Sequence, residues 1–145
     1  MSDSRQRRLA VLADGLTAAH IDGLVVTSLA NIRYLTGFSG SAALVLASRS
    51  DVVLLTDFRY QTQVADEVGD HARVSVEPQS LWTGLWHHLG QLTNVKVVGF
   101  ESAHLLHRDF QRLLENGTRW QWRPTMRALR LMPNAAWDVA ARRLR

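Results

Sequence analysis

Asn31-Ile32-Arg33-Tyr34-Leu35-Thr36-Gly37-Phe38-Ser39-Gly40-Ser41 is the stretch around which the rest of the chain is organised. It joins two apolar, strand-like runs, residues 23–27 and 42–47, through a short turn of helix and two glycines. Ser28 offers a hydroxyl that can accept a free backbone N–H at the start of that turn, and Gly37 stands where a helix must stop. Glycines at 37 and 40 permit backbone shapes or close approaches that a side chain would block. Tyr34, Leu35 and Phe38 place large apolar groups in a connection that composition alone would make polar. Such a loop is either buried against something or made to meet a partner.

Outward from the loop, strands and helices alternate. Leu9, Leu12 and Leu16 form one apolar stripe, which predicts a helix over residues 4–20. Residues 43–47 and 52–56 are β-rich runs separated by the polar Ser48-Arg49-Ser50-Asp51, the pattern of a hairpin. Asp57 then serves as N-cap for a helix reaching about residue 68. A strand at 74–76 follows, then a helix capped by Ser80 with Trp82, Leu85, Trp86 and Leu89 on one face. A buried strand at 95–100 precedes a helix that Ser102 would cap, with Leu106, Phe110, Leu113 and Leu114 as its stripe. Residues 119–122 read as an outer strand and 125–131 as a last helical piece before Pro133. This order predicts a layered α/β domain with a mixed sheet. Residues 134–145 carry Trp137, Ala140, Ala141 and Leu144 on one side, the pattern of a helix that either leads towards a further domain or is a terminal helix that folds back on its own core or frays.

Bulk properties narrow the function. The 145 residues suit one domain with a single core. The chain has no cysteine, which excludes disulfides and thiolate metal sites and predicts a reducing, cytoplasmic setting. No apolar run approaches the roughly 20 residues that span a bilayer, so no membrane partner is expected. The net charge of +4 raises nucleic acid as a partner. The arginines gather at the two ends and along Arg119, Arg123, Arg127 and Arg130 rather than in an aromatic-laced strip, which disfavours that reading.

Self-contained catalysis is not visible. Gly37-Phe38-Ser39-Gly40-Ser41 departs from a nucleophile elbow at its fifth position, where glycine is required. Neither a phosphate loop nor the three-glycine dinucleotide fingerprint is present. Glu101, His104 and His107 fall at i, i+3 and i+6, and the last rotates away from the first on a helix. The 13 acidic residues are scattered, with no carboxylate pair on one strand face to bridge two metals. No catalytic residue, metal ligand or cofactor is therefore assigned within the chain.

A resemblance emerges from three segments in order. Asn31-Ile32-x-Tyr34-Leu35-Thr36-Gly37-Phe38-x-Gly40-Ser41 is similar to the signature loop of the creatinase/prolidase/aminopeptidase P N-terminal domain. Thr56-Asp57-x-Arg59-Tyr60 resembles that family's Thr-Asp-x-Arg-Tyr segment, and Val98-Gly99-Phe100-Glu101 resembles its strand-end Ile-Gly-Phe-Glu. The resemblance implies a three-layer α/β domain with a mixed, mostly parallel, ribonuclease-H-like sheet over residues 1–132, with 133–145 opening a linker helix to a catalytic domain. It implies a parent metallopeptidase acting on proline-containing peptides (an Xaa-Pro dipeptidase or aminopeptidase), whose catalytic domain holds two divalent ions such as Mn, Co or Zn. It also implies a homodimer in which the N-terminal domain narrows access to the metals. Met132-Pro133-Asn134 departs from the Lys-Asp pair usual at the linker. The segments leave open a creatinase-like or inactive parent, and composition leaves open a stand-alone basic module for nucleic acid.

Individual residues can then be assigned expectations. Asn31 is expected to bond the backbone of its own turn, and Tyr34 and Leu35 to be core. The candidates for a substrate-entrance rim are Phe38, Ser39, Asp57, Arg59 and Tyr60. Arginine can hold a carboxylate at two points where lysine cannot. The competing role for Asp57 and Arg59 is a helix cap with a local ion pair.

Overall fold

The computed structural model describes residues 2–125, with side chains from Arg5 onward. In chain order the elements are α1 (Ser2–Ala18), β1 (Gly23–Val26), α2 (Leu29–Thr36), β2 (Ala43–Ser48), β3 (Val52–Asp57), α3 (Gln61–Val68), β4 (Arg73–Glu77), α4 (Leu81–Gly90), β5 (Val97–Phe100), α5 (His107–Asn116) and β6 (Gln121–Pro124). A 3-10 turn, Phe58–Tyr60, links β3 to α3. The strands form one sheet in the order β4-β3-β2-β1-β5-β6. Pairings with β2 are antiparallel and the other three are parallel, so β2 alone runs against its neighbours. The β2–β3 hairpin is present as expected, in the register Ala43 to Thr56 and Ala47 to Val52.

Alternation along the strands sends side chains into two cores. On one face Leu12 and Leu16 of α1, Ile32 and Leu35 of α2, and Val64 and Val68 of α3 pack on Leu24, Val26, Val45 and Leu54. On the other, Leu85 and Leu89 of α4 meet Val25, Leu46, Leu55 and Val98, with Trp82, Trp86, Trp120 and Trp122 around them. Helix, sheet and helix make three layers, as expected. Phe110 of α5 lies against Phe100, with ring centroids 5.4 Å apart.

Because β1 and β5 are parallel neighbours, their carboxyl ends emerge together. There the fully buried Glu101 turns inward. One oxygen accepts the backbone N–H groups of Thr27 and Ser28 at 2.8 and 2.9 Å, and the other accepts the Asn31 side-chain amide at 2.5 Å. The sequence context predicts that Asn31 bonds the backbone of its own turn; instead its amide reaches across 70 positions to Glu101. The expected cap by Ser28 is made, at 3.4 Å to the Asn31 backbone N–H. Glu101 also displaces the start of α5. Its carbonyl accepts the N–H groups of His104 and Leu105, which makes a turn, and the helix begins at His107 with Leu106 rather than Ser102 at the N-cap.

The opposite ends of these strands are fixed by another acid. Asp22 accepts the Lys96 and Val97 N–H groups, both at 3.0 Å, so β5 begins at Val97 and not at residue 95. Arginines of α1 satisfy carbonyls left open at helix C-termini. Arg5 donates to Thr36 at the end of α2 and to Glu67 at the end of α3, and Arg8 donates to Tyr34 while lying 4.1 Å over its ring. Tyr34 is thereby half-buried rather than core. Arg123 likewise donates to Ala19 and His20 beyond α1. β6 lies at the sheet edge as expected, and Thr125 ends it with two bonds to the Phe100 carbonyl. The helical piece expected over the rest of 125–131 and the segment 134–145 lie outside the described residues. None of the described helices is long and apolar enough to cross a membrane.

Two outcomes follow from these anchors. Glu101→Gln turns an N–H donor towards donors that already lack another acceptor, and should cost about 1–3 kcal/mol in urea unfolding. Combined with Asn31→Ala it should be clearly non-additive, since both changes break one contact; strict additivity would show that the two side chains do not share it. Hydrogen bonds from the Val97 and Lys96 backbones hold the Asp22 carboxyl below its ordinary value, with Arg49 adding to the effect. A depressed folded value gives stability that is present above the unfolded carboxyl value near ~3.9 and lost as pH falls through the folded one. The melting temperature of wild type relative to Asp22→Asn should therefore stay constant from neutral pH down to about 5 and converge below about 4. A difference that widens in acid would reverse that sign.

Candidate functional site

α2 ends at Gly37, which takes the left-handed conformation, φ 84°, and donates its N–H to the Arg33 carbonyl. The positive φ is what calls for glycine here; a Cβ would also sit 2.4 Å from the Arg5 guanidinium, a flexible side-chain end that could move aside. The chain then folds over Phe38. A Cβ at Gly40 would fall 2.2 Å from the Phe38 ring, so that glycine lets the backbone close on the ring face.

Phe38 is 1% exposed, which overturns its expected place on a rim. Its ring is an internal anchor that meets Tyr60 edge-on, with centroids 5.6 Å apart at 87°. Its N–H also donates to the buried Thr36 hydroxyl. The other four candidates lie at the surface and fall into one group. β2 starts opposite the end of β3, with Thr56 Oγ1 donating to the Ala42 carbonyl at 2.7 Å, and this brings the loop beside the Phe58–Tyr60 turn.

Three groups of polar contacts shape this rim. The Ser39 N–H and hydroxyl both donate to Glu67 of α3, at 2.9 and 2.6 Å, and Gln63 donates to Ser39 and Glu67. The Tyr60 hydroxyl is hydrogen-bonded to Ser41. Asp57 caps the turn by accepting the Arg59 N–H at 3.0 Å. It also takes Arg59 Nε and Nη2 at 3.0 and 2.8 Å. The ion pair of Asp57 and Arg59 is formed, with Arg59 61% exposed, but Asp57 caps only the 3-10 turn; α3 begins at Gln61 with Tyr60 rather than Asp57 at its N-cap.

Electrostatics follow these bonds. The Arg59 side chain holds Asp57 below the usual carboxylate range, and Asp57 in turn raises Arg59. Burial pushes Glu67 upward, but the Ser39 hydroxyl and N–H, with Gln63, outweigh it and leave the group lowered. The bond to Ser41 lowers Tyr60. A carboxylate held low is a poor base for Ser39, whose proton it already accepts as a hydrogen bond.

Sequence reasoning missed Glu67 and Gln63, whose i, i+4 spacing beside the buried Val64 and Val68 is the only local signal. It also missed Phe58, at 70% the most exposed of the large apolar residues among those described. Its place outside the stripe of α3 would have revealed it. Two open cavities lie elsewhere. One of about 580 Å³ sits at the amino ends of the parallel strands, between Ala13, Asp51, His71 and Arg73. Another of about 420 Å³ lies at their carboxyl ends, between Leu29, Ala42, Leu81, Trp82 and Leu106. Among the described residues no three His, Asp or Glu side chains are grouped to hold a metal ion, so the donor set here does not fit a two-metal centre.

Comparison with known proteins agrees with this architecture. A Bacillus subtilis (strain 168) protein described as an uncharacterized peptidase, YqhT, is 48% identical over 48 residues, which is 33% of this chain and 14% of that protein. The N-terminal domain of the cytoplasmic peptidase PepQ from Mycobacterium tuberculosis H37Rv superposes with a TM-score of 0.74 at 27% identity, covering 92% of this chain and 98% of that one. The Xaa-Pro dipeptidase from Bacillus anthracis shares the fold, with a TM-score of 0.76 at 22% identity over 83% of this chain and 33% of its own. Residues 8–132 match the family model of the Creatinase/Prolidase N-terminal domain, and the chain belongs to that family.

Proposed function

We propose that this chain is the non-catalytic N-terminal domain of a cytoplasmic, metal-dependent Xaa-Pro peptidase, and that its rim (Ser39, Asp57, Arg59 and Tyr60) serves subunit contact and access to the active site. In this reading residues 1–132 form the domain and 133–145 begin the connection to a catalytic domain, which carries the two divalent ions. The family match over 8–132 carries the reading, together with a PepQ neighbour that is itself an N-terminal domain and a dipeptidase of which the matching fold is one third.

The site chemistry supports the same division. A rim of satisfied carboxylates beside an exposed arginine and phenylalanine offers recognition without an acid–base pair poised near neutrality. Part of the basic charge is used inside the fold: Arg5, Arg8 and Arg123, three of the 17 basic residues, donate to backbone carbonyls.

The 145-residue chain incubated with an Xaa-Pro dipeptide and Mn²⁺, Co²⁺ or Zn²⁺ should release no proline above the buffer control, measured by ninhydrin or chromatography. Metal-dependent turnover by this chain would overturn the proposal.

A further inference from the structure

The sheet has two outer strands, β4 and β6, and the two are finished differently. β6 ends in Pro124, which has no N–H to donate, and Arg123 beside it turns back to the Ala19 and His20 carbonyls. β4, Arg73-Val74-Ser75-Val76-Glu77, contains no proline. Its inner edge pairs with β3 in parallel, from Val53 opposite Arg73 to Asp57 opposite Glu77. Among the described residues, no group outside β3 hydrogen-bonds to the β4 backbone. Backbone groups alternate along a strand, so every second residue of β4 presents an open N–H and C=O outward.

The side chains along this edge are their own complement. Read backwards, the strand is Glu-Val-Ser-Val-Arg, so two copies laid antiparallel about Ser75 set Arg73 of each opposite Glu77 of the other. Val74 then meets Val76, and Ser75 meets its own counterpart. This register pairs all five residues and brings outward-facing backbone groups opposite one another. The neighbouring registers set Arg73 or Glu77 against Ser75 and lose both opposite-charge pairs. The two charges are only partly committed inside the chain. Arg73 is 61% exposed and gives Nη2 to Asp51 at 2.6 Å. Glu77 uses Oε2 for the Ser75 hydroxyl, with His88 Nε2 at 3.9 Å, while Oε1 has no partner among the described residues.

We propose that the outer edge of β4 pairs with the same edge of a second copy of this chain, antiparallel about Ser75, and joins the two sheets into one. A second copy suits the edge better than an unrelated extended peptide, because the charge order matches itself. The contact is two-fold, so it closes at two copies. One pair of short strands covers little area, and the dimer is accordingly weak and reversible. The contact uses none of the rim residues and does not depend on the peptidase reading.

The test is sedimentation velocity on the 145-residue chain from about 10 µM to about 1 mM, the range in which so small an interface associates. Amide hydrogen exchange is read at both ends of that range. A reversible monomer–dimer equilibrium is expected, with exchange of β4 amides slowing as concentration rises and that of β6 amides unchanged. Arg73→Glu sets two carboxylates opposite each other at both ends and should weaken the dimer about tenfold or more. Gln121→Glu, on the exposed part of β6, should leave it unchanged. Arg73 also pairs with Asp51, so melting of the Arg73→Glu variant is followed alongside; if it does not fold, the wild-type exchange pattern decides. A chain that stays monomeric at the highest concentration, a dimer whose protected amides lie away from β4, or a folded Arg73→Glu variant that associates as tightly would each overturn the contact. None of these results bears on proline release, so the domain assignment stands or falls separately.

Discussion

One buried carboxyl group sets the geometry from which the rest follows. Glu101 sits where two parallel strands end, and beyond Val26 the Thr27 and Ser28 N–H groups have no ladder partner. A chain turning away there would leave buried donors open, at a cost of about 1–3 kcal/mol each. Glu101 accepts both and adds the Asn31 amide, so it fixes the direction in which α2 leaves the sheet. From there the path is determined: α2 ends at Gly37, Phe38 enters the core, and Ser39 and Ser41 come out on the rim.

This dependence explains what could be read from the sequence. Strand and helix succession follows local periodicity, so the hairpin, the Leu12–Leu16 stripe and the Trp82–Leu89 face were all legible. The caps at Ser28, Asp57 and Ser80 were legible too, because each is a contact within three residues. The partner of Asn31 was not, since an amide beside a turn has a nearer and equally plausible acceptor. Ser102 misled for a related reason: the helix start it suggested is overridden by a turn on the Glu101 carbonyl. The three family-like segments do converge in space, two of them on Glu101 and two of them on the rim.

Phe38 shows the same limit at the candidate site. A phenylalanine between two glycines in a loop reads as exposed, because no large side chain nearby in sequence can cover it. In the fold its cover comes from Tyr60, more than 20 positions away, and from the backbone at Gly40. The arginines behave alike. Counted along the chain, Arg5 and Arg8 are a terminal basic cluster; in the fold they are donors to helix ends, because α1 packs across α2. Charge composition records how many cations there are, and only the packing decides how many face water.

The direction of the pKa shifts bears on what such a rim can be. A carboxyl group that works as an acid or a base near neutral pH is raised by burial or by a like charge. Asp57 and Glu67 are both lowered, because each is surrounded by donors: Arg59 for the first, Ser39 and Gln63 for the second. Their charge is committed to holding neighbours still. Ser39 is fixed by Glu67, Arg59 by Asp57 and Tyr60 by Ser41, so the loop and the turn are braced from inside the domain. The outward edges of those same groups are left to meet whatever approaches. A surface organised in this way has its polar groups braced from within the domain, while Phe58 and Arg59 beside them stay exposed.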